Sequence, residues 1–240
     1  MIPGLPPHWA LRDAVLLSDG IGGLVWSAVD RDGQAVIVKR PSAVAIADHA
    51  TGENFLRWRD GSACVRLLDV WQEWQLLEHA GHTTLRNVFD REGDDTATRI
   101  AADLLARLRR PVSRPIPHDL LSLDTHFSSL TKGVPPGADP DQAALIARGA
   151  ATARALLEEN RTAIPLHGDI HHENILHGRR GWLSIDAKGL LGDPDYETAN
   201  LFYNPLGADA RYDTERATRM SEILAARLGA PALRLLRFAM

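Results

Sequence analysis

Cysteine is almost missing from this 240-residue chain: Cys64 stands alone, so no disulfide can form within it, and a reducing cytoplasm is the expected setting. Long apolar runs are missing too. No stretch approaches the roughly 20 consecutive apolar residues that span a bilayer, so no membrane partner is expected. There is no basic excess: 27 Lys and Arg stand against 31 Asp and Glu, a formal net charge of −4, which speaks against a nucleic-acid partner. The opening residues, Met1 to Pro7, have neither a basic start nor an apolar run and do not read as a secretory signal. Internal repeats and low-complexity segments are absent. What remains is an ordinary globular composition, 45% hydrophobic and 24% charged. The length suits roughly one or two domains and is ample for a core.

The chemistry concentrates in one stretch, Leu166 to Asp186, LHGDIHHENILHGRRGWLSID. His167, Asp169 and Asn174 give H-x-D-x-x-x-x-N, and the apolar run Trp182 to Ile185 then delivers Asp186. The pattern reads as a loop, a short strand and a second carboxylate. Phosphoryl transfer needs such a set: a carboxylate beside the attacking hydroxyl, and an amide and a carboxylate that share a divalent cation with the nucleotide phosphates. Asp169 is therefore the candidate catalytic residue, and Asn174 and Asp186 are the candidate Mg²⁺ ligands, both hard oxygen donors. A lone loop aspartate is more often a turn cap; the spacing of the other two weakens that reading. His167 is expected to buttress the loop. His167, His171, Glu173 and His177 could also suggest zinc, but they match neither H-E-x-x-H nor a finger spacing.

Upstream, Gly20, Gly22 and Gly23 precede an apolar run, Leu24 to Val29, that reads as a strand. Glycines there would let the backbone approach phosphates, or would simply make a hairpin turn. A strand after them fits neither a P-loop nor a dinucleotide fold. It does fit a strand-turn-strand cover over ATP. Asp30 to Gly33 is a turn signal, and Ala35 to Lys39 returns as a strand with Ala35, Ile37 and Lys39 on one face. A lysine at a strand end often snorkels; here it is also placed like the kinase lysine that holds the nucleotide's phosphates. A helix is expected over Ala43 to Arg59, with one internal glycine, Gly52. Strands are expected over Cys64 to Trp71 and Glu73 to His79. Further on, helices are expected near Thr83 to Phe89, from Asp94 to about Arg110, over Leu120 to Leu130, from Asp139 to about Asn160, from Asp213 to Leu228, and from Ala232.

The stretch Leu166–Asp186 resembles the catalytic core of the aminoglycoside phosphotransferases, distant relatives of protein kinases. Ile185-Asp186-Ala187-Lys188-Gly189, followed by Gly192 to Pro205 (GDPDYETANLFYNP), resembles the branch that phosphorylates streptomycin and hydroxyurea. The resemblance covers roughly Val15 to Met240 and is firm across Leu166 to Pro205. It implies an α+β, protein-kinase-like, two-lobed fold. Residues 1–80 would form a small, mostly antiparallel β-sheet lobe with one helix, and residues 81–240 a mainly helical lobe with the catalytic loop and acceptor site.

ATP with Mg²⁺ would bind between the lobes, and a small-molecule hydroxyl would accept the phosphoryl group. By the same resemblance Glu53 pairs with Lys39. Backbone groups near Glu78 and Ala80 hold the adenine edge, and Glu197 braces the catalytic loop from behind. Asp193 and Asp195 are weak candidates for an acidic cleft facing a cationic substrate; a solvated turn is the plain alternative. Lys188 would pair with Glu197 or reach a phosphate. Relatives carry further carboxy-terminal helices that help build the acceptor site, and more residues before the glycine turn. The alternatives are a kinase-like protein that binds nucleotide without turnover, a housekeeping kinase of a small metabolite, and a zinc hydrolase.

Overall fold

Val36 and Val38 point to one side of their strand, Ile37 and Lys39 to the other, and this alternation organises the first sheet. The computed structural model describes residues 2, 4–43, 46–159 and 161–239, and of residues 47–49 and 211 the backbone alone. Five strands make the sheet: β1 (Arg12–Gly20), β2 (Gly23–Val29), β3 (Ala35–Pro41), β4 (Leu67–Trp71) and β5 (Trp74–Glu78), in the order β1-β2-β3-β5-β4 and antiparallel throughout. The valine face packs on Trp9, Ala28, Trp74 and Leu76. Trp9 comes from the proline-rich amino-terminal segment, which folds back over the sheet and donates its indole N–H to Asp69 at 2.7 Å. The sequence carries no periodic signal for that cover, because a segment before the first strand can pack anywhere.

Between β1 and β2 the chain turns in two residues, Ile21 and Gly22, with Gly20 opposite Gly23. Gly23 has φ +116°, and a Cβ on it would overlap the Arg40 carbonyl of β3. Its glycine is therefore required by the sheet. The helix α1 (Ile46–Arg59) follows. Of the expected start at Ala43, positions 44 and 45 lie outside the described residues. The expected strand from Cys64 shortens to Leu67–Trp71; Cys64 instead makes a single parallel bridge to Ser184 in the other half of the molecule.

The remaining elements are β6 (Thr83–Thr84), α2 (Leu85–Glu92), α3 (Asp94–Leu108), β7 (Leu121–Ser122), α4 (Leu123–His126), α5 (Ser128–Thr131), α6 (Pro140–Glu158), β8 (Ile164–Leu166), β9 (Ile175–Gly178), β10 (Gly181–Ser184), β11 (Leu190–Gly192), a 3₁₀ turn (Pro194–Thr198), α7 (Ala199–Phe202), a second 3₁₀ turn (Asp209–Tyr212), α8 (Thr214–Leu228) and α9 (Ala232–Phe238). The helix expected over Leu120–Leu130 is not one helix. Leu121 and Ser122 pair in parallel with β11, Ser122 then caps α4 through the Thr125 N–H, and α5 starts anew. A ladder partner contributed by residues 190–191 overrides the local helical pattern. Asn160, the expected end of α6, lies outside the described residues; Asp139 caps its start through the N–H groups of Asp141 and Gln142.

One apolar core runs through both halves. Phe55, Trp58, Cys64, Val65 and Leu77 pack with Leu85, Leu105, Ile175, Leu183, Met220 and Leu235. Arg59, 2% exposed, fastens α1 to the end of α3 by donating to the carbonyls of Arg107, Leu108 and Arg110. Arg107 and Leu108 are the last residues of α3, where helix carbonyls run out of N–H partners four residues on. Two turns before Arg59, α1 meets the loop after Asp186. A Cβ on Gly52 would overlap the Ala187 carbonyl, and one on Gly189 would overlap that of Thr51. Thr51 Oγ1 also donates to the Lys188 carbonyl at 2.5 Å.

Gly52→Ala tests this packing. In an open helix the change would stabilise by about 1 kcal/mol. Here it is expected to destabilise by about 1–3 kcal/mol through forced separation of two backbones. A higher urea midpoint in the variant would show that the helix does not rest on this loop.

Candidate active site

Two small sheets set the positions of the three chemical groups. β8 leads into the loop that carries Asp169, and it pairs antiparallel with β11, the strand that follows Asp186. The His167 carbonyl accepts the N–H groups of Lys188 and Gly189 at 2.8 and 3.2 Å, which clips the two loops together. Between them lies the β9–β10 hairpin, which also pairs with β6. It closes where the Ile185 N–H donates to the Asn174 carbonyl at 2.9 Å. Asn174 and Asp186 thus sit at the open ends of one hairpin. The Asn174 side-chain N–H donates to the Asp169 carbonyl at 3.0 Å, which leaves its amide oxygen as the group able to ligate a cation. Asp186 takes φ +59°, a left-handed conformation that aspartate tolerates better than most residues.

Lys39 reaches across from β3 and donates to Asp186 Oδ1 at 2.8 Å. The expected Lys39–Glu53 pair is not formed. Glu53 accepts instead from Arg57, one turn further along the same helix, at 3.0 Å. A neighbour at i+4 reaches a helical carboxylate more readily than a lysine from another element.

Above these groups is a cavity of about 310 Å³. Its apolar walls include Val25, Ile37, Val65, Leu77, Leu176 and Ile185, and the paired Lys39 and Asp186 also line it. The connecting segment from the end of β5 to the helical half, Glu78 to His82, forms one wall. Glu78 and Ala80 are among the residues lining the cavity. The Glu78 carboxylate is occupied by Arg180 at 2.5 and 2.7 Å. Arg180 also donates to the carbonyls of Gly61 and Cys64, so it ties the β9–β10 hairpin to the end of β5 and to the loop after α1. Gly20, Gly22 and Gly23 are not among the residues lining this cavity; they stand at the hairpin tip. A wider hollow of about 430 Å³ beneath the amino-terminal segment touches none of the chemical groups.

His167 and Glu197 support the loop from inside. His167 is fully buried, and its Nδ1 accepts the Asp169 N–H at 3.2 Å. Burial pulls its pKa down to about 3, partly offset by the Ile185 carbonyl. Glu197 accepts the backbone N–H groups of His167 and Gly168. Burial pushes its carboxyl up to about 7, against the pull of those two donors. Burial also lowers His172, packed edge-on against Phe89, to about 3. Cys64 lies wholly inside the core, and burial pushes its thiol up to about 12.

These shifts set an acid sensitivity. Between about pH 4.5 and 6.5 the unfolded chain carries protons on His167 and His172, while the folded protein carries one on Glu197. For these groups the unfolded state binds more protons, so stability falls as the pH drops, by roughly 1.4 kcal/mol per pH unit. His172→Leu removes one of the two histidines and is expected to flatten the profile between pH 5 and 6.5. Urea unfolding across that range measures it, and an unchanged slope would contradict the burial of a neutral His172.

Asp193 and Asp195 do not face a cleft. Asp195, 2% exposed, is held by Arg109 at 3.1 Å and Arg234 at 3.0 Å, with Arg161 at 3.8 Å. Asp193 caps the 3₁₀ turn and pairs with the same Arg234. A buried acid surrounded by arginines is a structural cluster with no free charge for a substrate. Lys188 lies beside Asp169, 3.7 Å from Oδ1, and not against Glu197. The four residues of the zinc reading go separate ways. His171 bonds to Glu173, His177 packs on Trp182, and among the described residues no group of three or more His, Cys, Asp or Glu gathers to hold a metal.

An antiparallel sheet with one helix, a cavity lined by the connecting segment and an H-x-D loop bonded to an Asn at the base of the hairpin that leads to Asp186 define a kinase-like phosphotransferase fold. A thermostable mutant of aminoglycoside phosphotransferase APH(4)-Ia, solved as a ternary complex with AMP-PNP and hygromycin B, has the same fold, with TM-score 0.59, 17% identity and coverage of 95% of this chain and 84% of that one. The chain belongs to the aminoglycoside/hydroxyurea antibiotic resistance kinase family, whose model matches residues 8–240. It is 40% identical over 162 residues to streptomycin 3''-kinase of Klebsiella pneumoniae, covering 67% of this chain and 58% of that protein. It is 34% identical over 211 residues to hydroxyurea phosphotransferase of Kitasatospora aureofaciens, covering 82% and 58%. The matched region thus spans a little over half the length of these relatives. Among the described residues no helix is long and apolar enough to cross a membrane.

Proposed function

We propose that this chain transfers the γ-phosphoryl group of ATP to a hydroxyl of a small molecule, with streptomycin or another aminoglycoside as the first acceptor to test and hydroxyurea as the second. The observation that carries the reading is an apolar cavity lined by the Lys39–Asp186 pair, with Asn174 bonded both to Ile185, beside Asp186, and to the backbone of Asp169. The cavity suits a purine, whose edge would meet the backbone of Glu78–Ala80. Lys39 would hold the phosphates. Asp169 orients the acceptor hydroxyl and takes its proton as the oxygen attacks the γ-phosphorus. The bond from that phosphorus to the β-γ bridging oxygen breaks, and ADP leaves. Asn174 and Asp186 would hold Mg²⁺, which when bound neutralises charge on the phosphates. The reaction belongs in the cytoplasm, where ATP and Mg²⁺ are supplied and Cys64 stays reduced.

Thermal unfolding with MgATP, with ATP plus chelator, and without ligand tests the nucleotide site. ADP release with streptomycin tests transfer. A stabilisation that needs both ATP and Mg²⁺, followed by acceptor-dependent ADP release, supports the proposal. Stabilisation without ADP release for any hydroxylated acceptor would favour a nucleotide-binding protein without turnover. No stabilisation at millimolar MgATP would overturn the nucleotide site.

A further inference from the structure

The segment Ala199-Asn200-Leu201-Phe202-Tyr203-Asn204-Pro205 has no part in the scheme above, yet it ends on the catalytic carboxylate. The Asn200 side-chain N–H donates to Asp169 Oδ1 at 2.8 Å. Lys188 approaches the same oxygen, at 3.7 Å. Among the described residues every polar contact of this carboxylate falls on Oδ1. Asn200 is itself held. The Asn204 side-chain N–H donates to its carbonyl at 2.7 Å, one turn later. Buried Arg216 of α8 donates to the carbonyls of Phe202 and Asn204 at 3.1 and 2.8 Å and to Asp94 at 2.9 Å. A four-residue helix has little stability of its own. Here Arg216 of α8 supplies a donor for its last carbonyl, that of Phe202.

We infer that Asn200 is a positioning residue: anchored through Asn204 and Arg216, it holds Asp169 by Oδ1 so that Oδ2 is the oxygen presented to the acceptor hydroxyl. A carboxylate has two equivalent oxygens and a broad terminal torsion. Fixing one of them turns a rotating acceptor into a directed one, and misplacement on the scale of 1 Å can cost about 10²-fold in rate. This inference rests on the proposed role of Asp169.

Two measurements test it. In the first, ¹⁵N-labelled protein is used without acceptor. The Asn200 side-chain amide signal, assigned by its loss in Asn200→Asp, is expected to shift when Asp169→Ala removes its partner. A signal that does not respond overturns the contact, whatever the acceptor turns out to be.

In the second, steady-state kinetics are run with MgATP and streptomycin. Asn200→Ala is expected to lower kcat about 10–100-fold with KM for ATP unchanged within about twofold. Asn200→Asp has the same shape but sets a second carboxylate against Asp169 Oδ1 in place of a donor, and is expected to fall at least as far, while its stabilisation by MgATP stays near that of the parent. Parent-level kcat in Asn200→Asp would make the role one of shape and overturn the inference. The Asp169→Asn variant separates the two levels. If it turns over like the parent, the proposed function of Asp169 fails. If it is inactive while both Asn200 variants match the parent, the positioning role alone fails.

Discussion

Asp169→Asn is expected to lower phosphoryl transfer by about 10²–10⁴-fold, the range that a positioned proton acceptor contributes. Nucleotide binding should survive. Asn174 is tied to the backbone carbonyl of residue 169, not to its side chain, so the cation ligands keep their support. The loop is braced by Glu197 through the N–H groups of His167 and Gly168, which the substitution does not touch. Asparagine also keeps an oxygen for the Asn200 donor. The expected pattern is therefore a loss of kcat with nearly unchanged stabilisation by MgATP. ADP release and thermal unfolding on the same preparation measure both halves. A variant with parent turnover removes Asp169 from the chemistry. A variant that no longer binds MgATP would mean that the side chain supports the nucleotide site as well.

Asp186→Asn is expected to abolish the Mg²⁺-dependent part of nucleotide affinity, by roughly 10²-fold or about 3 kcal/mol, the scale of one charge-assisted contact. Asparagine is the better replacement than alanine, because residue 186 sits at φ +59° and asparagine tolerates that region. An alanine would add backbone strain to the loss of charge. The substitution also removes the carboxylate that pairs with Lys39, whose side chain is only 17% exposed. The residual binding of ATP without metal is thus expected to change less than the binding of MgATP. Calorimetry with ATP, with and without Mg²⁺, reads the difference. Equal losses in both titrations would assign Asp186 to the phosphates or the lysine, not to a cation.

The three groups on which these predictions rest could be read from spacing because the chain between them is short. Asp169 and Asn174 share one loop with four residues between them, and one hairpin and Ile185 separate Asn174 from Asp186. Lys39 was legible for a similar reason: strand alternation puts it on the face of Ile37, and that face lines the cavity. Glu53 failed because its partner depended on distance across two elements, and a nearer arginine took it. Asp193 and Asp195 failed because nothing in their neighbourhood announces Arg109, Arg161 and Arg234, which come from three distant stretches. The short strands β7, β8 and β11 have two or three residues each, too few for any period to show, and β7 drew its segment out of a helix-like pattern.

Asn200 and Asn204 stood in plain view inside a recognisable motif, yet spacing alone assigned them no task. The motif's asparagines act through contacts with residues 169 and 216, one earlier in the chain and one later. Local order therefore carried the antiparallel sheet, the catalytic loop and the metal-type pair, since each is built from neighbours whose geometry a few backbone torsions settle. Folding in three dimensions was needed to say which cation meets which carboxylate and which oxygen of Asp169 stays open. It was also needed to explain why Gly52 cannot carry a side chain. Charges and backbones far apart in sequence compete for the same partners, and the winner depends on distances that exist only once the two halves share a core.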